Sequence, residues 1–254
     1  MRLRNTYPDT VFRRRKTVRQ KQALQYAYCA NNPVNAVDPT GMDWYRDKDN
    51  TRQYNPDLNK DNQAKILGEG QKYIGATDAV TDKNGNVIED YRKDGSIMYS
   101  SEASGYSRIW NNSQRGEKKE EMGIITDKGV LVVPDYKNDK RSVDPEQYGY
   151  SWNNGNIKDA DGNLFNTLGT IHTHPDPTGD ATTNSYDIQY FGERTPNKVF
   201  MVMGHDEILR AYRATGVGTQ YDAIVLPPIQ GIKPTIKGLM NGYLMKELLK
   251  INKK

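Results

Sequence analysis

The stretch from Gly169 to Ile188, GTIHTHPDPTGDATTNSYDI, decides how this chain folds and which chemistry it can support. A partly apolar segment leads to His172 and His174. Pro175 ends the strand there because proline cannot donate a backbone hydrogen bond to a sheet. Successive side chains of a strand point to opposite faces. The two imidazoles are therefore predicted to share one face at the tip of a strand, while the intervening threonine faces away.

Two imidazoles on one strand face form a natural half of a tetrahedral zinc site. The third ligand should return from the following loop, and Asp187 fits best because NSYDIQYF is typical of the start of a helix or turn. Asp176 and Asp180 are nearer in the sequence, but their Pro/Gly-rich excursion fixes the backbone less well. Zinc held by three protein ligands keeps a fourth position for water, whose proton needs a general base. Glu120 and Glu121, directly before a dense apolar strand, are the candidates.

Composition narrows the class of protein. The chain has 254 residues, of which 35% are hydrophobic, and a mean hydropathy of -0.89, which predicts a modest core with many loops or extensions around it. No apolar run approaches the roughly 18 residues of a membrane span, so none is expected. The first residues lack the apolar centre of a secretory signal. Cys29 is the single cysteine, which excludes an intramolecular disulfide.

The positive charge is concentrated at the beginning of the sequence. Residues 1–42 contain eight Lys/Arg and two acidic residues, which leaves 28 basic and 30 acidic residues in 43–254. The larger part therefore has no general attraction for phosphate backbones, and no nucleic-acid partner is expected. The run RRRKTVRQK at 13–21 could still contact nucleic acid or anionic lipid, although a solvated segment is the simpler interpretation.

The pattern of apolar residues and turns predicts an α/β (α+β) domain over 116–254, with a mixed central sheet and flanking helices. MGIITDKGVLVVPDY from Met122 indicates a hairpin, LFNTLGTIH a strand, and KVFMVMGHDEILRAYRA a strand–turn–strand with His205 in the turn. YDAIVLP indicates one more strand, and TIKGLMNGYLMKELLKI at 235–251 an amphipathic helix. The segment 138–163 is rich in Gly, Asn and Asp and predicts a loop.

Residues 43–115 form a polar segment without a catalytic constellation. Its turns KNGN and KDGS, each followed by a short β-prone piece, predict small hairpins in a pre-domain or a wrapping linker. The α/β domain is thus expected to be preceded by a loop-rich β-hairpin segment.

Residues 22–42, QALQYAYCANNPVNAVDPTGM, combine spaced tyrosines with Asn-Asn-Pro and Asp-Pro-Thr-Gly turn chemistry. This pattern resembles the junction where RHS/YD-repeat shells meet a variable C-terminal toxin. The resemblance implies that 1–42 is the end of an RHS core and that the chain is the tail of a bacterial polymorphic toxin, secreted or delivered and acting inside a target cell. It implies the RHS shell and a cognate immunity protein as partners. Self-cleavage in that family would fall after Met42, but its carboxylates involve other parts of the shell, so this chain is not expected to cut itself.

A second resemblance concerns the chemistry. EEMGII at 120–125, HTHP at 172–175, the following Ser/Thr-rich loop and Asp187 resemble the motif of JAB/MPN (JAMM) metalloproteases. The strand–turn–strand at 198–214 is similar to the hairpin that follows the metal loop of that fold. The resemblance implies a JAB/MPN-like fold, zinc held by His172, His174 and Asp187, and Glu120 as general base in preference to Glu121.

Three features depart from the JAB/MPN pattern. The loop between His174 and Asp187 is longer than in the family, and the oxyanion-stabilising serine is replaced by Asn184. The side-chain amide of Asn184 can donate the same kind of hydrogen bond, or the longer loop can present Ser185 instead. The helix that usually precedes the histidine strand is not indicated in 138–163.

The leading hypothesis is a zinc-dependent peptidase or isopeptidase that serves as the toxin domain and cleaves protein or peptide substrates, ubiquitin-like proteins among them. The first alternative is a catalytically inactive JAB-like binding domain, which the longer loop and Asn184 favour. The second is a metal-dependent nuclease toxin, which the acidic balance of 43–254 disfavours.

Overall fold

A computed structural model describes residues 41–176, 179–217 and 220–226 together with Met245 and Leu248. The junction prediction for 1–42 falls outside this part except for its last two residues. The helix predicted at 235–251 also falls outside it, apart from Met245 and Leu248, which are helical and buried. None of the helices in the described part has the length and apolar character needed to span a bilayer.

The elements of the described part are numbered in chain order. They are the strands and the three α-helices given below, with one 3-10 turn. The strands are β1 (Asp43–Arg46), β2 (Arg52–Asn55), β3 (Lys72–Gly75), β4 (Asp78–Thr81), β5 (Val87–Tyr91), β6 (Ile97–Tyr99), β7 (Met122–Thr126), β8 (Gly129–Val132), β9 (Ser151–Asn153), β10 (Asn156–Lys158), β11 (Leu164–Phe165), β12 (Thr167–His174), β13 (Val199–Gly204), β14 (Leu209–Val217) and β15 (Gln220–Val225). The helices are α1 (Gln63–Ile66), α2 (Glu102–Ser113) and α3 (Ser185–Arg194), and the 3-10 turn is Pro145–Tyr148.

One mixed sheet organises this part of the molecule, with the strand order β15-β14-β13-β12-β7-β8-β6-β5-β4. Its neighbours pair antiparallel except β12 and β13, which are parallel and connected through α3. Two smaller sheets have the orders β2-β1-β3 and β11-β10-β9. The predicted α+β class with a mixed central sheet agrees with this arrangement.

The predicted strands and turns after residue 120 are confirmed. The hairpin from Met122 is β7–β8, LFNTLGTIH falls in β11 and β12, the strand–turn–strand is β13–β14, and Tyr221–Val225 of YDAIVLP lie in β15. The helix start expected around Asp187 is α3. The turns KNGN and KDGS connect β4–β5 and β5–β6 as predicted hairpins.

The loop prediction for 138–163 is wrong in part. This segment contains the 3-10 turn and the strands β9 and β10, which pair with β11 in a small sheet. Tyr150 and Ile157 are buried in the apolar cluster beneath the large sheet, and the Thr167 hydroxyl accepts a hydrogen bond from the Ile157 amide at 3.0 Å. Strands of three residues are too short for an alternating pattern to be recognised, and their turn residues dominate the composition.

The large sheet continues across the expected boundary between residues 115 and 116. Strand β6 pairs with β8, so the hairpins of the polar segment extend the sheet that carries the histidines. One apolar cluster joins Trp44, Tyr91 and Tyr106 of that segment with Ile125 and Ile171. Side chains of residues 43–115 thus contribute to the core of the same sheet.

Helix α2 packs on this sheet because a glycine allows a close approach. Gly105 faces β8, where an added Cβ would lie 2.6 Å from the Val130 Cβ. Tyr106 and Ile109 are buried beside it, whereas the rest of the helix is mostly polar. Its large apolar side chains are Tyr106, Ile109 and Trp110, which are too few for the periodic pattern from which a helix is predicted.

The close packing of α2 leads to a prediction about stability. In an exposed helix Gly→Ala stabilises by about 0.5–1 kcal/mol, but Gly105→Ala would force its methyl group into Val130. We expect the free energy of unfolding to fall by about 1–3 kcal/mol, as measured by urea unfolding.

The matched control is Gly68→Ala, whose added Cβ would make an ordinary contact of 3.6 Å with the Gln71 side chain. It should leave stability almost unchanged. If Gly105→Ala stabilises the protein as in an isolated helix, α2 does not pack on β8 in the described way.

Candidate metal centre

The histidine pair lies at the end of β12, a strand between β7 and β13 inside the large sheet. His172 faces Met122 of β7 and Val202 of β13 in register, and only 2% of its surface is exposed. The Nε2 atoms of His172 and His174 lie 3.2 Å apart. The predicted convergence of both imidazoles at a strand tip is confirmed.

Asp187 completes the cluster from the first turn of α3. Its carboxylate oxygens lie 3.7 Å from the Nε2 of His172 and 3.5 Å from the Nε2 of His174. The carboxylate is held by a capping box: the Asn184 side chain accepts from the Asp187 amide at 2.9 Å, and the Asn184 amide donates to Asp187 at 3.2 Å. The helix dipole further favours negative charge at this end.

The three donor side chains lie close enough together for one metal ion to bind all of them. Ligand atoms about 2.0–2.1 Å from a zinc ion, arranged tetrahedrally, lie about 3.3–3.4 Å from one another. The side chains of His172, His174 and Asp187 are together in one group whose ligand atoms all lie within 4.8 Å. The donor set and its spacing therefore fit a zinc ion with one coordination position open.

The outer nitrogens of the two rings have different surroundings. The Nδ1 of His174 lies 3.0 Å from the carbonyl oxygen of Asp180, which favours a proton on Nδ1 and a lone pair on Nε2. The Nδ1 of His172 is buried without a hydrogen-bond partner among the described residues. Its ring packs against Phe191, with centroids 5.3 Å apart. The sequence did not favour the Asp180 carboxylate as a ligand. In the structure Asp180 contacts His174 through its backbone carbonyl oxygen instead.

Burial and charge act differently on each member of the group. Burial lowers the pKa of His172, against the opposing effect of Asp187, so this imidazole is neutral and able to coordinate. Burial also acts to lower the pKa of His174, but hydrogen bonding to Asp187 and the nearby acidic charges raise it overall. Burial opposes ionisation of Asp187, yet the two imidazoles and the Asn184 amide lower its pKa below the usual range.

Glu120 lies beside this group. Because His172 faces Met122 in the β7–β12 register, the next same-face position of the β7 chain, residue 120, falls opposite His174. Glu120, His172 and Asp187 line one cavity of about 170 Å³. Burial, together with the charges of Asp187 and Asp139 and against that of His174, raises the pKa of Glu120 to about 8.

Glu121 points to the opposite face. It is fully buried, and its Oε1 accepts a hydrogen bond of 2.9 Å from the Asn112 side chain of α2. Burial and the nearby Asp135 raise its pKa well above the usual value. Alternation along the chain thus separates the two glutamates, and of the two only Glu120 lines the cavity with His172 and Asp187.

The two residues considered for oxyanion stabilisation have different positions. Asn184 lines the cavity, and its side-chain oxygen is used by the Asp187 amide, which leaves the NH2 group as a donor. Ser185 is the exposed first residue of α3 and is not among the residues that line the cavity. The cavity position therefore favours Asn184 over Ser185.

The loop between His174 and Asp187 is fixed by contacts that the sequence did not predict. An added Cβ on Gly204 would lie 2.1 Å from the Ala181 amide nitrogen, so the loop passes directly over this glycine. The Tyr212 hydroxyl donates to the Ala181 carbonyl at 2.8 Å, and the His205 amide donates to Gly179 at 2.7 Å. The motif MGH in the β13–β14 turn is the signal that could have indicated such a close approach.

Comparison with known proteins finds no protein-family model that matches this chain and no curated relative.

The geometry predicts that the group binds one metal ion, and zinc is the ion to test. We expect about one zinc per chain in protein prepared without chelator, and His174→Ala or Asp187→Asn should weaken zinc affinity by at least about 100-fold because each removes a ligand. Isothermal titration with zinc on chelator-treated protein measures this.

His205→Ala is the matched control, since His205 is exposed in the β13–β14 turn. It should bind zinc like the wild type. Equal zinc affinity in His174→Ala and His205→Ala would place the metal elsewhere.

Proposed function

We propose that the chain is a zinc-dependent peptidase or isopeptidase of the JAB/MPN (JAMM) type. The observation that carries this proposal is the shared cavity: His172 and Asp187 of the ligand group and the Glu120 side chain face the same space. A ligand group alone would suit a structural metal, which is usually closed by four protein ligands. Three ligands with an acid–base group beside them suit hydrolysis.

The residues divide the work in a simple way. When bound, zinc would polarise the scissile carbonyl and increase the acidity of water. Glu120 takes a proton from the attacking water as the C–O bond forms and the carbonyl oxygen gains charge. It then returns the proton to the leaving nitrogen, and the C–N bond breaks as the carbonyl re-forms. Burial raises the pKa of Glu120 to about 8 without a metal, and the positive charge of a bound zinc would lower it toward the ionised form that accepts a proton. The side-chain NH2 group of Asn184 donates a hydrogen bond to the carbonyl oxygen that gains charge.

The mouth of the cavity suits a protein or peptide substrate. Tyr186, 67% exposed, stacks with Tyr190 at a centroid distance of 6.2 Å, and both line the cavity. Arg141 and Val143 lie among the other lining residues. An exposed aromatic beside a cationic side chain offers apolar contact and hydrogen bonding to a polypeptide, including the tail of a ubiquitin-like protein.

The biological setting of the proposal rests on the sequence of residues 22–42. Their resemblance to the RHS junction supports a toxin domain of a bacterial effector that is delivered into a target cell. A cognate immunity protein that covers the zinc cavity is the partner expected in that setting, together with the RHS shell.

Glu120→Gln tests the proposed general base. Gln keeps the shape but cannot accept the proton, so we expect kcat/KM to fall by about 10²–10⁴ while zinc content stays at the wild-type level. The assay uses a peptide library and a polyubiquitin panel, with and without chelator, alongside metal analysis.

Glu117→Gln is the control, because Glu117 is exposed and three positions away. It should cleave like the wild type.

Zinc binding without cleavage of any substrate would favour the inactive binding domain. Cleavage of plasmid or RNA that His174→Ala abolishes would favour the nuclease instead.

A further inference from the structure

The pairing of β7 with β12 changes at the threonine between the two histidines. The amide of Thr173 donates to the Glu121 carbonyl at 3.0 Å, as in a regular antiparallel pair. The reciprocal bond differs: the Glu121 amide donates to the Thr173 hydroxyl at 3.0 Å, and not to its carbonyl. Thr173 is fully buried, so this hydroxyl has its position fixed by the surrounding core.

Glu120, the next residue toward the cavity, lies beyond the last paired residue of β7, and its backbone groups point away from β12. Its amide donates to the Asp139 carbonyl at 2.7 Å, and its carbonyl accepts from the Asn138 side chain at 2.8 Å. Asn138 is itself held by the Tyr148 hydroxyl, which donates to its Oδ1 at 2.8 Å. Both backbone groups of Glu120 are therefore held by the loop that follows β8.

We propose that Thr173 and Asn138 are positioning residues for Glu120. The Thr173 hydroxyl accepts a hydrogen bond from the amide of Glu121, the residue next to Glu120. The Asn138 side chain holds the Glu120 carbonyl from the other side. Together they hold the carboxylate at the cavity wall beside the ligand group. This inference rests on the proposed function, in which Glu120 is the general base. A displacement of about 1 Å in a catalytic group can reduce turnover about 100-fold. The clamp formed by Thr173 and Asn138 would therefore control kcat.

Thr173 and Thr170 form a natural pair for comparison. Both are fully buried on β12, but the Thr170 hydroxyl has no hydrogen-bond partner among the described residues. Replacing either by Val keeps the shape and removes the hydroxyl. Only at position 173 does this remove the hydrogen bond to the Glu121 amide.

The experiment compares Thr173→Val, Thr173→Ser, Asn138→Ala and Thr170→Val in the full chain. For Thr173→Val and Asn138→Ala we expect kcat to fall by about 10- to 100-fold, with KM and zinc content unchanged. Thr173→Ser keeps the acceptor and should restore kcat, and Thr170→Val should match the wild type. Crystal structures of the Thr173 variants provide a second readout: the Glu120 carboxylate should move by about 1 Å or more in Val and stay in place in Ser.

The inference is overturned if Thr173→Val keeps wild-type kcat and an unmoved Glu120. It is also overturned if Thr173→Val loses zinc, because the threonine would then act through the histidines. If the wild type cleaves no substrate, the proposed function fails, and the position of Glu120 in the Val variant alone decides about the clamp.

Discussion

The antiparallel pairing of β7 with β12 is the constraint on which the site depends. Its register sets His172 opposite Met122, and the same register brings Glu120 to the level of His174. A shift by one residue would turn every side chain of one strand to the other face. Glu121 would then approach the histidines and Glu120 would enter the core beside α2. The buried faces of both strands specify the register, because Ile124 and Ile171 fit only their own sides.

The site is built into the edge of an apolar layer. The ring of His172 begins a row of aromatic side chains in which Phe191, Phe200 and Tyr212 follow at centroid distances of 5.3, 4.7 and 5.4 Å. This layer excludes water from the inner side of the cluster and strengthens every charge interaction there. Asp187 is kept ionised in this setting by the imidazoles and by the capping contacts of Asn184. A divalent cation would complete the charge balance of these closely spaced donors.

The sequence alone located the ligand cluster but not everything that supports it. The spacing of His172 and His174 specifies a shared strand face, and an N-terminal helix signal is visible at Asp187. The choice of Glu120 over Glu121 needed a resemblance, because strand register arises from tertiary packing. Helix α2 was missed because its apolar residues are few, and β9 and β10 because they are short. The clamp at Thr173 depends on a side-chain hydrogen bond that no periodicity encodes.

The most direct test of the central claim is anomalous diffraction at the zinc edge from crystals of the zinc-loaded protein. We expect one strong peak coordinated by the Nε2 atoms of His172 and His174 and by an Asp187 oxygen, with the Glu120 carboxylate facing the open coordination position. A peak remote from the histidine pair, or a Glu120 side chain directed away from the ion, would contradict it.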